Sequence, residues 1–224
     1  MTPQMEGAAV LFDLDGTLLD TAPDMAAAIN ALRVEQGLEP LPFATVRPFV
    51  SHGANALVRL AFPEVPEPEF GVLRERFLAI YRECLAAETT LFAGMEDLLG
   101  ALEGARVPWG IVTNKPTWLT EPLLEALELR ARIGSLVCGD TFPERKPHPR
   151  PLLHAASELG IAPQHCVYVG DAERDIVAAR AAGMFSLVAR FGYIGPADDI
   201  HAWSADGHID SPLDVLNWVP RARQ

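Results

Sequence analysis

The chain has 224 residues, 49% hydrophobic and 21% charged, the composition of a globular protein that can bury a sizeable core in one or two domains. Its formal net charge of −12 argues against a nucleic-acid backbone or an anionic membrane as partner, because either would need a basic face. Cys84, Cys138 and Cys166 have neither CxxC nor metal-ligand spacing, so they read as core or surface thiols rather than a disulfide framework.

The first element is a short apolar run, Ala8 to Phe12, with the look of a fully buried strand. It has no Lys or Arg ahead of it and is broken by Asp13, which fits neither a signal peptide nor a membrane span. Cytoplasmic residence is the expectation. From Pro23 to Glu88 the pattern turns helical: Asp24 to Gln36 closing at Gly37, Ala54 to Phe62 after the turn-like "SHGA", and Glu69 to Ala87 after the proline-rich "FPEVPEPEF". Further buried strands are expected at Val107 to Thr113, Ser135 to Cys138, Cys166 to Val169 and Phe185 to Val188. Helical periodicity separates them at Thr117 to Leu127, Pro151 to Leu159 and Ile176 to Ala182.

Alternating strands and helices predict a Rossmann-like parallel sheet covered on both faces, an α/β fold. About ninety residues separate the first two strands, far more than one crossover needs. The excess predicts an all-helical insertion over residues 21–90, with residues 1–20 and 91–224 forming the core. An insertion there would sit above the carboxyl ends of the strands, where open α/β sheets bind ligands.

Those strand ends collect the polar chemistry. Asp13 and Asp15 follow the first strand, then come Thr113, Asn114 and Lys115, then Asp140, and finally Gly170 and Asp171 with Asp175 four further on. Residues two apart in extended chain point the same way, so Asp13 and Asp15 can face one cavity and Asp171 can join them. Crowded carboxylates raise one another's pKa unless a cation intervenes, and a hard oxygen-ligated ion, Mg²⁺, answers that need. Gly16 would let the backbone approach a ligand, and Thr113 and Asn114 offer donors to an anion. Only two of the 18 basic residues are lysines, Lys115 and Lys146, so each is informative, and Lys146 in "RKPHP" supplies positive charge for a transferring phosphoryl group.

"DLDGT", "VTNK", the lysine of "RKPHP" and "GDAERD" resemble, in order and spacing, the four motifs of the haloacid dehalogenase-like superfamily of phosphohydrolases. The resemblance implies that Asp13 is the nucleophile and Asp15 the general acid and base. It implies that Thr113 holds phosphate and that Lys146 neutralises charge near Asp13. Magnesium would be bound by Asp13, the carbonyl of Asp15 and Asp171, with Asp175 beside them or reaching the ion through water. Ala172 stands where many members have Ser, and Arg150 where an acidic residue often follows "KPHP".

Taken singly, Asp13 or Asp171 could be helix caps, and Asp140 reads as a turn or capping residue. Asp20 and Thr21 look like the hinge into the insertion. Lys115 either borders the phosphate site or opens the next helix. In the insertion, Arg47, Ser51, His52 and Gly53 form a polar island, the candidate for substrate discrimination, with an interhelical turn as the plain alternative. The four tryptophans read as packing residues.

Among relatives, the absence of a cap lysine argues against phosphonoacetaldehyde hydrolases, and Asp15 argues against haloacid dehalogenases. "DTAPDMAAAIN" lacks the histidine of β-phosphoglucomutases, which are kept as an alternative. A phospho-accepting receiver protein is disfavoured by the insertion and by the Asp13-x-Asp15 pair. "DTAPD", "VTNKP" and "KPHPRPLL" are in the style of phosphoglycolate phosphatases. "WGIVTNKP" with "RFGYIGPADDIHAWSADGHIDSP" resembles bacterial N-acetylmuramic acid 6-phosphate phosphatases. Either way the expected partner is a small phosphorylated metabolite.

Overall fold

A computed structural model describes residues 7–219; residues 1–6 and 220–224, at the outer ends of the two expected core segments, lie outside the described residues. The chain opens with β1 (Ala9–Phe12) and β2 (Leu19–Asp20), then runs through four helices, α1 (Ala22–Glu35), α2 (Phe43–Val46), α3 (Gly53–Ala61) and α4 (Glu69–Glu83). It continues with β3 (Thr90–Leu91), α5 (Met95–Gly104), β4 (Trp109–Val112), α6 (Thr117–Ala126), β5 (Ser135–Val137) and α7 (Arg150–Glu158). β6 (Cys166–Gly170), α8 (Glu173–Ala181), β7 (Phe185–Ala189) and β8 (Gly207–Ile209) complete it.

Six strands form one sheet in the order β5-β4-β1-β6-β7-β8, and every pairing in it is parallel. The sheet owes its apolar strands to burial on both faces. In β1, Val10 and Phe12 pack with Trp109, Leu98 and Leu102, whereas Ala9 and Leu11 face Leu152, Ala155 and Tyr168 on the other side. Because β4 and β6 flank β1, the strand order reverses there, and the carboxyl end of β1 opens into the crevice where such sheets place ligands.

The helices between β2 and β3 have a core of their own, in which Ile29, Leu32, Leu57, Val58, Phe77 and Tyr81 are fully buried. They form a helical cap over the sheet's carboxyl edge. β2 and β3 pair antiparallel, Leu19 opposite Leu91 and Asp20 opposite Thr90, where the chain leaves the sheet and returns. α4 ends at Glu83, short of the expected Ala87, because Cys84 leaves helical geometry and Ala86 is left-handed, with φ 60°.

One buried acid fastens this junction. Asp24, 2% exposed in the first turn of α1, accepts the Glu88 N–H at 2.9 Å, the Thr89 N–H at 3.0 Å and the Thr89 hydroxyl at 2.6 Å. Removing it strands three donors in a dry place. Asp24→Ala is expected to lower unfolding free energy by about 2–4 kcal/mol in urea denaturation, and Asp24→Asn by less, since one acceptor oxygen survives. Equal losses for the two variants would rule out this account.

Candidate active site

The end of β1 delivers Asp13, and the Leu14 N–H caps its Oδ1 at 2.7 Å. β6 delivers Asp171, and the first turn of α8 presents Asp175, whose Oδ2 accepts the Ala172 N–H at 3.1 Å. Carboxylate oxygens of the three acids all lie within 4.8 Å of one another, and all three residues are buried. Lys146 reaches the same place from the loop before α7. Its Nζ sits 2.8 Å from Asp13 Oδ1, 2.8 Å from Asp175 Oδ1 and 2.8 Å from the Tyr168 hydroxyl.

Burial raises Asp13 to about 6, with Lys146 pulling it down and Asp175 pushing it up. Burial likewise raises Asp171 to about 7, reinforced by Asp13 and Asp175 and opposed by hydrogen bonds from Ser51 and Tyr193. Asp171 Oδ1 is buried with no hydrogen-bond partner among the described residues. A set of hard oxygen donors, one of them orphaned, crowded enough to resist full ionisation, is a set that could hold a divalent cation.

Ser51 comes down from the cap and donates to Asp171 Oδ2 at 2.5 Å, and the Tyr193 N–H donates to the same oxygen at 2.9 Å. This closeness depends on Gly16, with φ +83°, where a Cβ would collide with Asp171 Oδ2 and crowd the Ser51 hydroxyl. His52 and Gly53 line the cavity between cap and sheet. Arg47 does not: it donates to the Gly192 carbonyl at 3.0 Å and stacks 4.7 Å from the centre of the Tyr193 ring. Its place is a brace between cap and core rather than a wall of the cavity.

Thr113 is buried at the end of β4, its hydroxyl accepting the Lys115 N–H at 3.0 Å. Asn114 lines the cavity, but its side chain is spent on the main chain of Lys146: Nδ2 donates to the carbonyl at 3.0 Å and Oδ1 accepts the N–H at 3.1 Å. It therefore holds the lysine in place. Asp140 caps α6, accepting the Thr117 N–H and hydroxyl at 2.9 and 2.6 Å. Asp15 stands apart from the acid cluster, its Oδ1 accepting from the Thr21 hydroxyl at 2.7 Å and from Lys115 at 2.9 Å.

Four residues given no role by sequence reasoning belong to the site. Arg174 is partly buried, 3.8 Å from Asp13 Oδ2, and donates to the Ser51 carbonyl at 2.6 Å. Burial works against its charge, yet Asp175, Asp13 and Asp171 together hold the guanidinium above its ordinary value. Tyr168 supports Lys146 from below, and Tyr193 ties Asp171 to the hinge by donating to Asp20 Oδ1 at 2.8 Å. Tyr81 hydrogen-bonds Lys115 from the cap at 2.8 Å, and burial pushes its phenol up to about 12. Arg174 and Tyr193 stood within quoted motifs; Tyr81 carried no signal beyond helical periodicity.

Comparison with known proteins assigns this clustered acid triad, with its lysine and the helical cap above it, to a family. The family model for haloacid dehalogenase-like hydrolases matches residues 10–189. The chain belongs to that family. A phosphoglycolate phosphatase of Xanthomonas campestris pv. campestris is 48% identical over 214 residues, covering 96% of each chain. An N-acetylmuramic acid 6-phosphate phosphatase of Pseudomonas aeruginosa is 43% identical over 220 residues, covering 98% of this chain and 97% of that one. The crystal structure of a predicted phosphoglycolate phosphatase from Haemophilus somnus superposes with a TM-score of 0.83 at 30% identity, covering 94% of this chain and 96% of that one. With such relatives along almost its whole length, this hydrolase is a phosphatase. Among the described residues no helix is long and apolar enough to cross a membrane.

The raised carboxyls give the site a pH signature. Against an ordinary value of 3.8, Asp13 at about 6 and Asp171 at about 7 hold protons that favour the metal-free fold fully below about pH 4, a contribution lost as pH rises through 6 and 7. A divalent cation takes the deprotonated form. The rise in Tm it gives to chelator-treated protein is therefore expected to grow between about pH 5 and about pH 8, and to disappear in Asp171→Asn. A rise independent of pH would argue against binding at these carboxylates.

Proposed function

We infer that this enzyme hydrolyses a phosphomonoester through an aspartyl phosphate on Asp13, with magnesium as cofactor, and that its substrate is an acidic sugar phosphate of the N-acetylmuramic acid 6-phosphate kind. Asp13 Oδ1 is engaged by Lys146 and the Leu14 N–H, which leaves Oδ2 to attack phosphorus. As the new P–O bond forms and the ester P–O bond breaks, Asp15 gives its proton to the departing alkoxide. In the second half, water attacks the phosphoryl group while Asp15 takes its proton, releasing inorganic phosphate and restoring Asp13. Lys146, with its Nζ wholly buried, keeps a positive charge beside the transferring group, and the Thr113 hydroxyl stands ready to hold its oxygens.

Asp13, Asp171 and the Asp15 carbonyl would hold the magnesium, with Asp175 next to them. The ion would supply charge neutralisation for the phosphoryl oxygens. Asp171 Oδ1, buried and unpartnered among the described residues, is the donor atom that favours this.

The substrate assignment rests on the cavity. It holds about 900 Å³ between α4, the 51–54 turn of the cap and the strand ends, within the range that accommodates drug-sized ligands and ample for a substituted sugar. Its outer wall carries Arg74, Arg82 and Arg145, none of them in an ion pair among the described residues, and Trp118, 41% exposed beneath the Arg82 guanidinium. Unpaired arginines suit a carboxylate and an exposed indole suits a sugar face. A second reading, 2-phosphoglycolate, is favoured by the 48% identity to a phosphatase named for that ester, but a two-carbon acid would leave most of this volume to water.

The test is kcat/KM on the two esters. N-acetylmuramic acid 6-phosphate is expected to exceed 2-phosphoglycolate by at least about tenfold, a difference of roughly 1.4 kcal/mol in transition-state stabilisation. The reverse order would overturn the substrate assignment. Asp13→Asn is expected to cut turnover on both by at least about 10³-fold while leaving the unfolding transition in place, and retained activity would remove Asp13 as nucleophile.

A further inference from the structure

Each carboxylate of the Asp13-x-Asp15 pair has a lysine of its own, in a chain that otherwise uses arginine for every cation. Lys115 is buried at 8% exposure, and its backbone is fixed at both ends: its N–H donates to Thr113, and its carbonyl accepts the Gly139 N–H at 2.8 Å. Its ammonium donates in two directions, to Asp15 Oδ1 at 2.9 Å in the core and to the Tyr81 hydroxyl at 2.8 Å in the cap. Tyr81 is fully buried and stacked on Phe77, so its oxygen has a fixed position. The second donor to Asp15, the Thr21 hydroxyl, uses the same Oδ1. Asp15 is thus held by one oxygen, while Oδ2 receives no hydrogen bond among the described residues and belongs to a side chain that lines the cavity.

We propose that Lys115 and Tyr81 are positioning residues for Asp15, fixing its carboxylate by Oδ1 so that Oδ2 meets the leaving oxygen, and that the cap completes this alignment by supplying the Tyr81 hydroxyl. The proposal rests on the acid–base role of Asp15 inferred above. A simple structural ion pair would not need a cap tyrosine on the far side of the ammonium. A misaligned acid costs most where the leaving oxygen needs a proton and least where it does not.

The test compares Tyr81→Phe with wild type on an alkyl ester, whichever of N-acetylmuramic acid 6-phosphate and 2-phosphoglycolate turns over faster, and on p-nitrophenyl phosphate by pre-steady-state burst. The alkyl-to-aryl ratio of phosphoryl-transfer rates is expected to fall by about tenfold or more, through kcat, with KM for the alkyl ester within about twofold. Lys115→Met is expected to lower the ratio further and Lys115→Arg, which keeps the cation, to recover part of it. Equal losses on both substrates, or a change confined to KM, would overturn the proposal and leave Tyr81 a packing or substrate-wall residue. Asp15→Asn separates the two levels: if it keeps alkyl-ester turnover, the acid–base reading itself fails and this proposal with it. If it loses that turnover while Tyr81→Phe keeps the wild-type ratio, only the proposal fails.

Discussion

Three carboxylates are buried within a few ångströms of one another at the tips of β1 and β6 and in the first turn of α8, and a set of cations and hydrogen-bond donors converges on them to make that tolerable. Desolvating one unpaired charge costs several kcal/mol, and three together cannot all ionise without a counter-charge. Lys146 meets two of them directly. It can do so because Asn114 grips its backbone from both sides and Tyr168, itself donating to the Val112 carbonyl at 2.9 Å, receives it from below. Arg174 adds a second cation from α8. Among the three carboxylates the buried oxygen left without a hydrogen bond from the described residues is Asp171 Oδ1, the atom a cation would satisfy.

How much of this could be read from sequence follows from which interactions are local. β1, β4 and β6 were legible because a strand buried on both faces is an uninterrupted apolar run, and the residues after it are then the ones that face the crevice. The six-stranded sheet has one strand more than the apolar runs suggest: Gly207–Ile209 is too short and too plain to announce itself. α5 also went unread, since it starts from a left-handed Gly94 without a side-chain cap. The β2–β3 ribbon is two residues on each side and forms where the outgoing and returning chain run side by side, a pairing of residues about seventy apart that neither segment announces.

Side-chain destinations were less legible than positions. Asn114 lines the cavity next to Thr113, yet the structure spends it on Lys146, because two buried backbone groups 32 residues away had greater need of it. Arg47 looks like a free cation in the sequence and turns out to lie on Tyr193, a contact 146 residues away. Arg174 falls at a position of α8 that periodicity would give to solvent, and Tyr81 at one it would give to the cap's core. In each case the deciding neighbour comes from a different segment, and spacing along one segment carries no record of it.

These long-range contacts make the cap part of the site rather than a lid resting on it. It touches the catalytic floor at two separate acids: the Ser51 turn on Asp171, with Arg174 returning a bond to the Ser51 carbonyl, and α4 on Asp15 by way of Tyr81 and Lys115. The cavity lies between these two attachments, so its wall is continuous with the groups that hold Asp171 and Asp15. Any displacement of the cap must break both attachments or carry both acids with it. A substrate that fills the cavity stabilises the arrangement in which both are in place, and one that leaves it largely empty must rely on the cap's own contacts. With Asp15 in the acid–base role proposed for it, selectivity among phosphate esters would be a property of kcat as well as of binding, since the same helices would govern both the fit of the ester and the alignment of the acid with its leaving oxygen.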